Sequence, residues 1–145
     1  MTKLTTVGSI ELIDFVEYGA SNLPCKIDTG AYSGALHCTS IEEVSEAGVK
    51  KIRFSRFDDP NTVIEVSDYS TGRVKSSNGE VSNRFFISTR IRLQDIEYDI
   101  KLSLADRKSM KWPVLIGRRF LRENKILVDV CKASPSTLTE SREDI

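Results

Sequence analysis

An aspartate, a threonine and a glycine stand together near the start of the chain, in the segment "KIDTGAYSGALHC" (26–38). Asp28 is the residue that could do chemistry, because a carboxylate held close to a second carboxylate shares one proton with it and activates water. Thr29 could hydrogen-bond to the matching loop of a second copy, and Gly30 lets the backbone approach the carboxylate and donate its amide. The same three residue types are also common in plain turns, so the segment alone leaves both interpretations open.

A single Asp-Thr-Gly motif provides only half of such a carboxylate pair. The chemistry therefore requires a second Asp28, and the sequence predicts a homodimer with twofold symmetry in which the chain is its own partner. Asp129, in "LVDV", also has an apolar setting, but no Thr-Gly follows it. Asp28 is the predicted catalytic residue, with Thr29 and Gly30 setting the geometry of the two loops.

Basic residues near the motif predict a peptide or protein substrate that is acidic. Lys26 lies two positions before Asp28, so in an extended strand both side chains point to one face while Cys25 and Ile27 point to the other. A basic cleft in a protein without net charge would favour acidic substrates. The other cations expected near the motif are Lys75, Arg84, Arg118 and Arg119.

The same cations could also have structural roles. Arg118 could pair with a local acid and support the dimer contact, and Lys26 and Arg119 could be solvated surface residues. Lys26 would also favour the ionised form of Asp28 and oppose a shared proton, unless it turns away or substrate acids neutralise it. His37 has no ligand partner at a useful spacing and is predicted to be structural.

The composition is that of an ordinary globular protein without excess charge. The 145 residues include 21 basic and 21 acidic ones, so no overall field favours nucleic acid or a membrane as partner. Neither a signal peptide nor a run of roughly 18 apolar residues is recognisable, which predicts a cytoplasmic protein. Cys25, Cys38 and Cys131 form no CxxC pair, so we expect reduced thiols in the core, no metal site and no cofactor.

Alternation of apolar and polar residues dominates the elements that must position the motif. Asn78-Gly79 suits a type I′ hairpin turn. The pattern predicts an all-β fold, a small closed or folded β-barrel with one or two short helices, in a single domain over 1–131 with a flexible tail at 132–145. The strand and hairpin segments are 51–57, 62–68, 73–85, 86–93 and 98–104, and a turn is predicted between the first two at Asp58-Asp59-Pro60-Asn61.

Helical patterns are short. A helix is predicted at 39–48, where Ser40 and Glu43 match a capping box. A second is predicted at 117–124 and ends at Asn124. No segment has the longer helical period that a parallel α/β sheet needs, which disfavours that fold class.

Two segments together resemble the retropepsin-type aspartic proteases: "CKIDTGAYSGAL" (25–36) and "WPVLIGRRFL" (112–121). In those proteases the first carries the active site, and the second packs beneath it and leads into a short helix. The segment "VKSSNGEVSNRF" (74–85) lies where they have a glycine-containing flap hairpin. The chain is most similar to a bacterial family of small retropepsin-like proteins often labelled ATP-dependent zinc proteases, over roughly residues 8–130. It has no HExxH, phosphate-binding loop or cysteine cluster to support zinc or ATP.

The resemblance implies an acid-protease fold, peptide-bond hydrolysis by paired Asp28 residues, and a hairpin at 74–82 that closes over the substrate. Tyr32 and Ser33 stand where retroviral enzymes have acids that grip the peptide and pair with the helix arginine, so we expect a different grip here. The residues for which substrate contacts are implied are Lys26, Ala31, Tyr32, Ser33, Asn78, Gly79, Arg118 and Arg119.

The resemblance also suggests a substrate. Members of the bacterial family are often associated with ligases that add glutamates to proteins, which implies trimming of glutamate tails, including those on a ribosomal protein. One alternative is a non-catalytic module that holds acidic peptides in the same cleft. Another is a β-barrel adaptor in which Asp-Thr-Gly is only a turn.

Overall fold

The computed structural model describes residues 4–56, 59–75, 79–106 and 111–132, which form eleven strands and one short helix. Most strands alternate in burial because one face packs on a common core. In chain order the elements are β1 (Thr5–Val7), β2 (Ile10–Phe15), β3 (Ala20–Asp28), β4 (Gly34–Glu46), β5 (Val49–Arg56), β6 (Asp59–Val66), β7 (Tyr69–Lys75), β8 (Val81–Leu93), β9 (Ile96–Ala105), β10 (Val114–Gly117), α1 (Arg118–Glu123) and β11 (Ile126–Val128).

Six strands close into a barrel, which confirms the predicted all-β fold class. Their order is β10-β3-β2-β8-β9-β4, and β10 closes the ring because it pairs with both β3 and β4. It runs parallel to β3 and antiparallel to β4, so the two segments singled out in the sequence lie side by side. Branched and aromatic side chains such as Phe15, Ile91, Leu102 and Ile116 are fully buried in the core.

The hairpin predicted from 86–93 and 98–104 is present as β8 and β9. Its turn consists of Gln94 and Asp95 alone, with φ angles of 50° and 62°. These left-handed values are those of a two-residue type I′ turn, which matches the twist of the flanking strands.

The hairpin predicted over 73–85 is formed by β7 and β8. The two strands pair antiparallel, and Lys75 opposite Val81 is the last pair before the tip. Gly79 has a φ of 88°, a left-handed value that glycine adopts without strain. Asn78, the other residue of the predicted turn, lies outside the described residues.

β5 and β6 also pair antiparallel as predicted, but the predicted turn between them is wrong in extent. It was expected from Asp58 to Asn61, whereas β6 already begins at Asp59 and includes Pro60 and Asn61. Proline is tolerated there because β6 lies at the edge of the sheet and its backbone needs no ladder bond on that side. Asp58 itself lies outside the described residues.

The short helix predicted at 39–48 is wrong, because most of these residues belong to strand β4. Ala47 and Gly48, with φ angles of 52° and 79°, form the two-residue turn into β5 instead of a helix end. Cross-strand pairing decides the outcome: Arg53 of β5, for example, contacts Glu46 at 2.9 Å. A capping-box pattern is local and weak beside a long antiparallel pairing.

The helix predicted at 117–124 is confirmed as α1. The Asn124 side-chain amide donates to the Phe120 carbonyl at 2.9 Å, which satisfies an open carbonyl at the helix end. Phe120 and Leu121 are buried and attach the helix to the core. In the part of the chain that the structure describes, no helix is long and apolar enough to cross a membrane.

The cysteines divide into two buried thiols and one exposed thiol. Cys25 and Cys38 are in the core as predicted, whereas the prediction is wrong for Cys131, which is exposed. Burial raises the pKa of the Cys25 thiol well above its ordinary value and that of Cys38 to about 12. Both buried thiols are therefore neutral at pH 7 and serve as packing residues.

Candidate active site

Asp28 is the last residue of β3, and its side chain is half-buried. Cys25 and Ile27 face the core while Lys26 and Asp28 face away from it, which is the alternation that the sequence predicts. The Gly30 amide donates to Asp28 Oδ1 at 3.0 Å. The backbone of the following turn therefore fixes one oxygen of the carboxylate.

The turn after Asp28 lies directly on the start of α1. Gly117, which pairs with Asp28 across β3 and β10, has no side chain, and a Cβ there would lie 2.7 Å from the Tyr32 carbonyl oxygen. The Arg118 amide donates to the Ala31 carbonyl at 2.8 Å. A glycine at 117 is thus needed for the close contact between the two segments.

Two arginines hold the same turn through Tyr32. Arg118 Nη1 donates to the Gly30 carbonyl at 3.1 Å, and its guanidinium lies 5.4 Å from the centre of the Tyr32 ring. The Arg119 guanidinium lies 5.9 Å from that ring and donates from Nε to Glu123 at 2.9 Å. Cation–π contacts and a charged hydrogen bond therefore stabilise the turn. Arg118 makes both kinds of contact, since it donates to the Gly30 carbonyl and packs on the Tyr32 ring.

A cleft of about 780 Å³ opens beside Asp28. Within its described lining, Asp28 is the one acidic residue and four residues are basic, so the lining is basic in a chain without net charge. Three of these cations come from the β7–β8 hairpin, and the fourth begins α1. The cations are Arg73, Lys75, Arg84 and Arg118.

Small and apolar side chains form the floor of the cleft. Ala35 and Ala105 expose no more than 8% of their surface, and Ser103 exposes 1%. The Ser103 hydroxyl donates to the Gly34 carbonyl at 3.2 Å, and this hydrogen bond fixes the orientation of the Ser103 side chain in the floor of the cleft. Leu115 of β10 completes this floor.

The predicted site residues do not all meet at the cleft. The structure brings six of them to its lining and leaves four outside it, while Asn78 lies outside the described residues. Sequence reasoning did not single out Arg73 or the floor residues, because strand alternation gives no signal for which cations face a common space. The six at the cleft are Asp28, Gly30, Ala31, Tyr32, Ser33 and Arg118; the four outside are Lys26, Thr29, Gly79 and Arg119.

The donor set does not fit a zinc site. His37 Nδ1 lies 3.2 Å from the Ala105 carbonyl oxygen, and its backbone amide donates to Pro113 at 2.8 Å. Among residues 4–56, 59–75, 79–106 and 111–132, no three histidine, cysteine or acidic side chains group closely enough to hold a metal ion.

Comparison with known proteins identifies one family and several relatives. The family model described as retropepsin-like aspartic endopeptidase RimB matches residues 6–136. A probable alpha-L-glutamate ligase of Shewanella halifaxensis is 29% identical over 128 residues, 85% of this chain and 28% of that protein. One of the same name from Desulfotalea psychrophila is 27% identical over 126 residues, 83% of this chain and 27% of that protein. The chain therefore spans less than a third of these curated relatives.

A solved structure has the same fold. It is a Legionella pneumophila protein of unknown function, with a TM-score of 0.74 and 27% sequence identity. The match covers 91% of this chain and 98% of that one. The barrel described above is thus an arrangement already known from a related sequence.

Proposed function

The chain belongs to the RimB-like family of retropepsin-like aspartic endopeptidases, and we propose that it hydrolyses peptide bonds in acidic, glutamate-rich protein tails. The observation that carries the proposal is the cleft, which Asp28 lines together with four basic residues. A basic cleft selects ligands of opposite charge through electrostatic complementarity. The family supplies the reaction class, and the charge of the cleft supplies the substrate class.

The chemistry requires Asp28 from two copies of the chain. One carboxylate takes a proton from water while the other, protonated, hydrogen-bonds the scissile carbonyl oxygen, because two carboxylates this close share one proton. Thr29 and Gly30, which follow Asp28, are exposed and hold the loop that the second copy would meet. Their exposure and the Gly30 bond to Asp28 Oδ1 support a symmetric contact at this loop.

The β7–β8 hairpin acts as the flap of the site. Arg73, Val74 and Lys75 on one arm and Arg84 on the other line the cleft, which supports closure of the 74–82 segment over a bound peptide. Closure would exclude water and strengthen every charge interaction inside the cleft.

The names of the curated relatives also support glutamate as the recognised side chain. The curated relatives are named probable alpha-L-glutamate ligases, and a ligase and a peptidase of the same tail would handle the same residue. A glutamate tail presents one carboxylate per residue, so several cations of the cleft could be engaged at once.

A pair of peptides tests the substrate class. We expect a peptide ending in consecutive glutamates to be cleaved with a kcat/KM at least about tenfold above that of the same peptide with glutamines, because the glutamine peptide loses the charge-assisted bonds. The difference in kcat/KM between the two peptides should narrow as salt is raised, because salt screens the charge interactions between the peptide and the cations of the cleft. Mass spectrometry of both digests gives the rates. Equal cleavage of the two peptides at low salt would contradict the proposal.

A binding module without catalysis is the second candidate. The same basic cleft favours it, since four cations would hold an acidic tail whether or not water is activated. This candidate predicts tight binding of the glutamate peptide, no product in the digests, and no effect of Asp28→Asn beyond a small gain in affinity from removing a negative charge.

A further inference from the structure

We propose that Arg84 is the residue that sets the charge specificity of the cleft, by binding a substrate carboxylate through its guanidinium. The inference rests on the proposed function and adds to it the anchor of the acidic side chain. A guanidinium binds a carboxylate with two parallel hydrogen bonds, which gives direction as well as charge.

Arg84 projects to the face of the sheet that carries the cleft floor. Ser103 of the floor pairs in register with Phe86 across β8 and β9, and paired residues project to one face. Arg84 lies two positions before Phe86 on the same strand, so it projects to that face as well.

Asp28 belongs to the same continuous face. Lys26, two positions before it, pairs with Leu115, and Leu115 pairs with Ala35. Ala35 in turn pairs with Ser103 of β9, and β9 lies beside β8, the strand that carries Arg84. The reacting carboxylate and the proposed anchor therefore lie at two ends of one surface, and a bound peptide could reach both.

The residue opposite Arg84 in the hairpin is a glycine. Gly72 pairs with Arg84 across the hairpin, and a Cβ at Gly72 would lie 2.7 Å from the Phe86 ring. The Phe86 ring therefore lies over Gly72 and beside Arg84, on the same face of the hairpin. Arg84 is half-buried, and a charge interaction in such a place is screened less than one at the surface.

Arg73 and Lys75, the other two cations of the hairpin, are less well placed than Arg84 to bind a substrate carboxylate. Arg73 pairs with Asn83 and Lys75 pairs with Val81, so their side chains leave the hairpin on the face opposite to that of Arg84, although both residues line the cleft. Both are exposed, and exposed ion pairs contribute little. We therefore expect a graded series in which Arg84 matters more than Arg73 or Lys75.

The test measures binding and cleavage separately. In an Asp28→Asn background, Arg84→Gln should weaken binding of a fluorescently labelled glutamate peptide by about ten- to hundredfold, while Arg73→Gln and Lys75→Gln cost severalfold at most. With Asp28 intact, Arg84→Gln should remove most of the preference for glutamate over glutamine peptides. Arg90→Gln is the matched control, since Arg90 is an exposed arginine of the same strand that pairs with Asp99 outside the cleft.

A charge exchange completes the design. Arg84→Glu should reject the glutamate peptide and gain affinity for the same peptide with lysines. Retained glutamate binding in Arg84→Gln, with all variants folded by circular dichroism, would overturn the inference. If wild type still cleaves the glutamate peptide, the proposed peptidase function would stand even though the role of Arg84 is overturned. If Arg84→Gln loses binding but wild type cleaves nothing, the role of Arg84 as the carboxylate-binding residue would be supported and the peptidase function overturned.

Discussion

We expect Asp28→Asn to lower kcat/KM for peptide hydrolysis by at least about 1,000-fold and to leave the fold unchanged. Asparagine has the shape of aspartate but can neither take a proton from water nor share one with its counterpart. The Gly30 amide that donates to Asp28 Oδ1 at 3.0 Å can donate to the asparagine carbonyl oxygen instead, so the turn is retained. The measurement is the rate of product formation from the glutamate peptide, with circular dichroism to verify folding.

Asp129→Asn is the matched control for this result. Asp129 accepts a hydrogen bond from the Cys131 amide at 2.9 Å and does not line the cleft, so we expect unchanged cleavage. Binding of the glutamate peptide should persist in Asp28→Asn because the cations remain. Cleavage by Asp28→Asn at the wild-type rate would exclude Asp28 as the catalytic residue.

Gly117→Ala should lower both stability and activity because the added methyl group would push the turn after Asp28 away from β10. Gly117 has a φ of −90°, which any residue adopts, so backbone strain is not the cause. The added Cβ would lie 2.7 Å from backbone atoms of Tyr32 and of Ser33, and backbone does not yield easily. Overpacking of this kind costs about 1–3 kcal/mol. A shift of Asp28 by about 1 Å would lower the rate by about 100-fold.

Gly19→Ala is the control that separates the loss of stability from the loss of activity. Gly19 has a φ of 65° with nothing within 4 Å of an added Cβ, so the substitution costs about 1–2 kcal/mol from backbone strain alone. Both variants should lower the thermal midpoint, but only Gly117→Ala should lose activity. Full activity of a folded Gly117→Ala would contradict the proposed contact between the two segments.

Local sequence patterns predicted several strands correctly but failed where pairing with a distant strand decides the structure. Alternation identified the segments that form β5 to β9, of which β8 and β9 belong to the barrel. The resemblance to the retropepsins placed the segment 112–121 beneath 25–36, and the pairing of Asp28 with Gly117 agrees with it. The segment at 39–48 was mistaken for a helix because its capping-box residues are local signals, whereas its pairing with Arg53 and the rest of β5 is not visible in a short window.

The composition of the cleft was less predictable. Lys26 was correctly expected on the same face as Asp28, but alternation gives only the face and not the extent of the cleft, which leaves Lys26 outside its lining. Arg73 and Ser103 come to the cleft from strands far apart in the sequence. Their meeting depends on barrel closure, a tertiary property that no short pattern encodes.

A mixing experiment tests most directly whether two Asp28 residues form one site across a homodimer. Wild type and Asp28→Asn, carrying different tags, are mixed in equal amounts at fixed total concentration, and tag capture verifies that subunits have exchanged. If each site needs Asp28 from both copies, only pairs of two wild-type chains are active, and the rate falls to about one quarter of the wild-type rate. A fall to about one half, or the absence of any mixed dimer while wild type is active, would contradict the account.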